Sequence, residues 1–474
     1  MPFNSFIFFF FLVVTVVIYY QVNNKFRNLF LLIANYVFYS YVDYRFTLLL
    51  IAVTSATYFI GEAIRKSKSV SKRKNLLITG LVINLLVLGF FKYYNFFIES
   101  VNQAAINLSL NLNLSTLNII LPLGISFYVF QTLTFLFDIY YDTLEEKYSF
   151  IEYAVFASFF PTVVAGPIER ASRLLPQIRK DKKFSTQLLR EGLILISVGL
   201  VRKVIIADSS GLIVNHIMAD PQYFSSIEVL VGVLLFTVQV YNDFAGYSNI
   251  SRGIGVLLGF DIMVNFRQPY FATSVADFWR RWHISLSTWL RDYLFKPLQI
   301  KLRNLGNWGN ALAILITFII CGIWHGASWN FIIWGFLHGM FMSFAIIFNK
   351  QKTFLRNIIP NKLLLNVLQV LTTLFLIIIA NVFFRTIDLQ QASLVFSQIL
   401  SFSDSEFTFR FLKILFGYTA FSYLIDYFEN KFNSDLFLLK IPSPVRYGIL
   451  VSSWFIIIMY LISSDKLPFL YGQF

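Results

Sequence analysis

The segment CGIWHGASWN, residues 321–330, sets His325 inside one of the most apolar stretches of a 474-residue chain, between ALAILITFII and FIIWGF. Burying a titratable ring in hydrocarbon costs free energy unless protein, water or a task compensates, so the residue is a functional candidate by its position alone. A neutral imidazole can take a proton from a hydroxyl as it attacks a thioester carbonyl, then return it to the departing thiolate. That is acyl transfer by general-base catalysis, and it needs no metal. The competing reading is a core histidine satisfied by a carbonyl of a neighbouring helix. Trp324 precedes the ring, and the small residues Gly322, Gly326 and Ala327 let another backbone or a substrate come close. Cys321 lies four residues upstream and shares a helical face with His325. A Cys–His pair can form an acyl-enzyme, whereas a lone buried cysteine more often only packs. It is the only cysteine, and no HExxH or Cys/His cluster occurs, so neither a disulfide nor a metal site is expected.

The chain has four histidines. His216 lies in a loop-like stretch, and His338 follows FIIWGFL where a hydrogen-bonded packing role is expected. His283 lies in PYFATSVADFWRRWHISLSTWLRDYLFKPL, residues 269–298. Ser274 and Asp277 form a capping-box variant that starts a helix there. Trp279, Trp282, Leu286, Trp289 and Leu290 recur at spacings of three and four, opposite Arg281, Ser285 and Thr288. Such a helix lies in the membrane interface, with His283 bordering its apolar stripe. Gln239, Asn242 and Asp243 sit within another apolar run, as do Gln131 and Asp138. Carboxylates at that depth must pair with Arg or Lys or line a wet cavity; Arg202, Lys203, Arg280 and Arg281 are the candidate partners.

These residues need a membrane scaffold, and composition supplies one. Hydrophobic residues make up 57% of the chain and charged residues 14%, against about 25% charged in a soluble domain. A single integral-membrane domain, 1–474, is therefore expected: N-terminal helices over 1–118, a core with both histidine motifs over 119–348, and C-terminal helices over 349–474. Hydropathy gives roughly 11 to 13 spans. The first apolar run lacks a basic leader and a small-residue cleavage site, and reads as a retained helix. The net charge of +14 gathers at 65–74, 169–183 and Arg280–Arg303, a positive-inside pattern that marks a cytoplasmic face and anionic lipid rather than nucleic acid. Pro161, Gly166, Pro167 and Pro176 punctuate one segment, which is expected to be re-entrant or interfacial. No internal repeat supports an inverted-repeat transporter.

FWRRWHISLSTWLRDYLFKPL, CGIWHGASWNFIIWGFLHG, QVYNDFAGYSNI, FPTVVAGPIER and the closing LPFLYGQF together resemble the membrane-bound O-acyltransferase superfamily. The likeness runs from about Leu121 to the C-terminus and is closest to the alginate and peptidoglycan O-acetyltransferase membrane subunits. A D-alanyl transfer subunit of teichoic-acid modification shares the WHG block. The resemblance implies an all-α ring of helices around a central funnel. It aligns His325 with the catalytic histidine and His283 with a second characteristic histidine near the cytoplasmic side. It also implies an acyl group taken from a cytoplasmic thioester, acetyl-CoA or an acyl-carrier protein, with no bound cofactor. An extracytoplasmic SGNH-type transferase would finish delivery to polysaccharide hydroxyls outside a bacterial cytoplasmic membrane. Asn249 stands where many relatives carry Asp, and Gly472 where they often carry an aromatic. Arg280, Arg281 and Arg291 are the candidates to attract the donor's phosphates, while Trp282, Trp324, Cys321, Asn242 and Asp243 would line the funnel. Two rival readings stay open: a D-alanyl or other acyl relay from a carrier protein, and a non-enzymatic lipid or glycan transporter.

Overall fold

The computed structural model describes residues 1–110, 112–348, 361–402, 409–463 and 469–470; Gly472 lies outside them. The described residues are helical or irregular, with no strand among them. Among the described residues seven helices are long and apolar enough to cross a membrane, and two shorter apolar helices, Phe6–Gln21 and Ile125–Tyr140, accompany them. Burial is distributed as lipid demands. The apolar window of Lys362–Arg385 is only 17% buried, whereas that of Ser226–Leu257 is 89% buried and carries the polar Asn242 and Asp243. Large apolar residues such as Phe375 and Leu371 face outward as well as filling the core, while the polar groups at membrane depth, Asn242 and Asp243, are buried. The chain is an all-α, multi-pass membrane protein.

It forms two compact units, Met1–Ile196 with Ile250–Met263, and Ser197–Asn249 with Val264–Phe474. Two of their boundaries fall inside helices, Thr186–Leu200 and Ser226–Leu257, and the third lies between Met263 and Val264. In the first unit the helix Ile125–Tyr140 is buried along all but its last residue. The helix Phe150–Ser158 starts at a full Ser149/Glu152 capping box. The chain then runs without α-helix to Arg170, as its proline and glycine punctuation predicts. This stretch is buried, so its polar backbone needs protein partners. Asn35 Oδ1 accepts from the Phe160 amide at 3.0 Å, and Ser251 Oγ donates to the Pro161 carbonyl at 2.6 Å.

The second unit contains every histidine. Ser226–Leu257 is one continuous 32-residue helix. Gly306–His325 and Trp329–Ile347 form an antiparallel pair whose backbones meet at Gly322 and Gly335. A Cβ on Gly322 would strike the Phe331 carbonyl, and one on Gly335 would strike the Phe318 carbonyl. Small residues at such a contact let the helices approach. Gly322→Val is therefore expected to cost about 1–3 kcal/mol or more through overpacking. A lowered melting temperature in detergent would show it; an unchanged one would mean that the helices separate without penalty.

Candidate active site

Gly306–His325 ends at His325, where Gly326 turns extended. The imidazole is 2% exposed and enclosed by aromatic rings: Trp324 at 4.9 Å, Trp334 at 4.8 Å and Phe384 at 5.4 Å between centroids. Trp334 meets His338 on its other side at 4.7 Å. His338 Nδ1 accepts from Trp279 Nε1 at 3.1 Å, which is the hydrogen-bonded packing role expected of it. Trp334 thus separates His325 from a histidine whose δ-nitrogen is already engaged.

His283 departs from the sequence expectation. The amphipathic stripe predicts one helix from Val275 to Leu290, but there are two, Val275–Arg281 and Ile284–Leu290. The first begins as predicted, with Ser274 Oγ accepting from the Asp277 amide at 3.1 Å. His283 lies between them at φ +42°, a left-handed conformation that costs a non-glycine residue energy. Asn265 compensates. Its carbonyl oxygen accepts from the Ile284 amide at 2.9 Å, and its Oδ1 accepts from the Ser285 amide at 3.1 Å and the Ser285 hydroxyl at 2.9 Å. An outside residue therefore caps the second helix, doing what an N-cap side chain does within its own chain segment.

The same atoms settle the histidine tautomer. A backbone amide requires an acceptor, so the Asn265 atom facing Ser285 is its oxygen, and Nδ2 turns to Ser248 Oγ at 3.2 Å. His283 Nδ1 lies 3.2 Å from that oxygen and must carry the proton, which puts the neutral ring's lone pair on Nε2. Burial pushes the His283 pKa down to about 3, so the ring is neutral through the physiological range. Phe244 meets it edge-on at 4.6 Å, and Trp324 lies 6.2 Å away while also touching His325. One tryptophan therefore contacts both histidines.

The remaining predicted residues divide. Arg280 and Arg291 line a cavity of about 420 Å³ whose walls include Trp279, Ile314, Thr317 and Phe318. Each also has a carboxylate beside it, Asp277 at 3.2 Å and Asp292 at 3.0 Å. Arg281 is bound to Asp277 at 3.1 Å and is not among that cavity's lining residues. Burial opposes ionisation of Asp277, but its bonds to Arg281 and the nearby arginine charges hold its carboxyl below the ordinary range. Trp282 is 5% exposed, stacks on Phe278 and meets Phe266 edge-on, so packing is its visible role. Cys321 is fully buried one helical turn before His325. Asn242 bonds to Arg202 and Ser422, and Asp243 pairs with Lys203 at 2.6 Å, as depth in the membrane requires. His216 lies on the helix Ser209–Ala219 instead of in a loop, because that helix extends up to the Ala219–Asp220 step before PQ.

Sequence reasoning missed Asn265, whose VNFRQP context has no motif. It also missed Asp426 and Glu429, which bind Arg202 at 2.7 and 3.0 Å from more than 220 residues away. Nothing local marks a pairing of that separation.

Fold and site define a polytopic membrane protein built around a buried histidine pair. The chain belongs to the membrane-bound O-acyltransferase family, whose model matches residues 4–387, and it is an acyltransferase. It is 34% identical to a probable alginate O-acetylase of Pseudomonas syringae over 87% of this chain and 80% of that protein. A probable alginate O-acetylase of Pseudomonas aeruginosa is 37% identical over 81% of this chain and 72% of its own length. A peptidoglycan O-acetyltransferase of Helicobacter pylori is 33% identical over 79% and 73%.

Proposed function

We propose that this chain is the membrane subunit of a cell-envelope polysaccharide O-acetylation system in a bacterial cytoplasmic membrane. It takes acetyl from a cytoplasmic thioester, acetyl-CoA, and passes it outward to an SGNH-type transferase that completes delivery to sugar hydroxyls. The observation that carries this reading is the aromatic-walled His325, joined through two tryptophan rings to a cavity edged by arginines. Trp279, in the cavity wall, meets Trp334 at 5.8 Å, and Trp334 meets His325 at 4.8 Å. The names of the alginate and peptidoglycan relatives support the acceptor class.

In this reading the acceptor oxygen attacks the thioester carbonyl while His325 removes its proton. The C–O bond forms, the C–S bond breaks, and the imidazolium returns the proton to the thiolate. Arg280 and Arg291 attract the donor's phosphates at the cavity mouth. The double variant Arg280→Gln/Arg291→Gln is expected to raise KM for acetyl-CoA about tenfold with a smaller change in kcat. Steady-state transfer of labelled acetyl in nanodiscs measures this, and an unchanged KM removes the arginines from the donor site. A D-alanyl relay keeps some support, since a teichoic acid D-alanyltransferase of Bacillus subtilis is 30% identical over 49% of this chain. Purified protein that handles an acyl-carrier thioester and ignores acetyl-CoA would favour it.

A further inference from the structure

The mechanism leaves unused a charge cluster in the second unit. Thr186–Leu200 is continued by a π-helical turn, Val201–Asp208, and such turns often mark functional positions. It presents Lys203, whose Nζ lies 2.6 Å from Asp208 Oδ1 and 2.6 Å from Asp243 Oδ1. All three side chains are nearly dry, at 6%, 2% and 3% exposure. Two carboxylates therefore share one ammonium, away from water. The adjacent Arg202 cannot balance the excess, because Asp426 and Glu429 already hold it. Lys203 and Asp243 are the charged groups that bear on Asp208 among the described residues. The helices Phe409–Phe432 and Ser443–Ser463 pack against this turn; the carboxylates of the first, Asp426 and Glu429, go to Arg202, and neither helix brings a charged group to bear on Asp208 among the described residues.

An uncompensated carboxylate in such a place is expensive enough that the group takes up a proton instead. Hydrogen bonding decides which one does. Asp243 has a donor on each oxygen, Lys203 on Oδ1 and the Leu470 amide at 2.9 Å on Oδ2, as an anion needs. Asp208 Oδ2, by contrast, is buried and has no hydrogen-bond partner among the described residues. We propose that Asp208 is a proton-binding site: it holds one proton on Oδ2, leaving Lys203 and Asp243 as a neutral ion pair.

The bound proton has a structural consequence. With Asp208 neutral, Lys203 is committed to Asp243, and Asp243 holds the Leu470 amide. Phe469, beside it, packs on Tyr247 at 4.4 Å and on Phe244 at 5.9 Å, and Phe244 meets His283. Loss of the proton divides Lys203 between two anions and weakens that attachment.

The test pairs two isosteric variants of the full-length protein in nanodiscs. Asp208→Asn mimics the protonated acid without drawing a proton from solvent, so at pH 7 it should melt no lower than wild type. It should also flatten the fall in stability expected of wild type as pH rises above the ordinary carboxylate range, where the folded protein binds a proton that the unfolded chain has lost, and remove one carboxylic-acid C=O band from the infrared spectrum. Asp243→Asn removes the anion and should lower the melting temperature at every pH. The proposal is overturned if Asp208→Asn is the destabilised variant, or if the carboxylic-acid band survives it. It is also overturned if sodium or potassium, titrated at fixed pH, stabilises wild type but not Asp208→Asn, because the ligand is then a metal cation.

Discussion

His325→Gln should reduce acetyl transfer by at least about 10²–10⁴-fold, the range general-base catalysis contributes, and leave the melting temperature nearly unchanged. Glutamine has much of the bulk that fills the space among Trp324, Trp334 and Phe384, and its amide can still hydrogen-bond. It cannot hold a proton between attack and departure. The assay is transfer of labelled acetyl from acetyl-CoA in nanodiscs, run beside Cys321→Ala. Activity lost only with His325 places Cys321 in the packing of the helix. Loss in both variants, with label retained on wild-type protein, favours a covalent relay through the thiol. If His325→Gln keeps activity within about threefold, the imidazole is not the base, and a cargo-binding role of the kind transporters use gains ground.

Much of this architecture was legible because the membrane imposes a simple rule. Long apolar runs must be helices, and polar residues inside them must face one another. The Asp243–Lys203 pair follows from that rule, and so does the punctuated segment around Pro161 and Gly166. The parts that were not legible depend on contacts made across the chain. Periodicity at Trp279, Trp282 and Leu286 carries straight through His283 as though the helix were whole, because a stripe reports side-chain direction and not hydrogen bonding. The break exists because Asn265 supplies acceptors to Ile284 and Ser285 from 19 and 20 positions away. Arg202 is a similar case: its depth demands anions, but Asp426 and Glu429 could be named only once the helices were assembled.

Asn265 should therefore be as sensitive as the histidine it holds. Asn265→Ala withdraws the acceptor from His283 Nδ1 and from both donors of Ser285, each buried. A buried donor left unsatisfied costs about 1–3 kcal/mol, so a loss of several kcal/mol is expected and the fold itself is at risk. Asn265→Asp is the informative variant, since it keeps the acceptors and adds charge. In wild type, burial holds the His283 pKa near 3 against about 6.5 when unfolded. Unfolding therefore takes up a proton at acid pH, and stability falls as pH drops below about 6.5 toward 3, by about 2 kcal/mol at pH 5. A carboxylate at position 265 stabilises the imidazolium and raises that pKa. The acid loss of stability should then shrink, while acetyl transfer acquires an acid limb as protonation removes the Nε2 lone pair. Melting temperature and transfer rate, each followed from pH 5 to 8, separate the two effects. A variant with the acid limb but wild-type rates at high pH assigns His283 a role that needs the neutral ring. A flat activity profile, with the stability slope changed as expected, would leave His283 as a structural post and His325 alone in the chemistry.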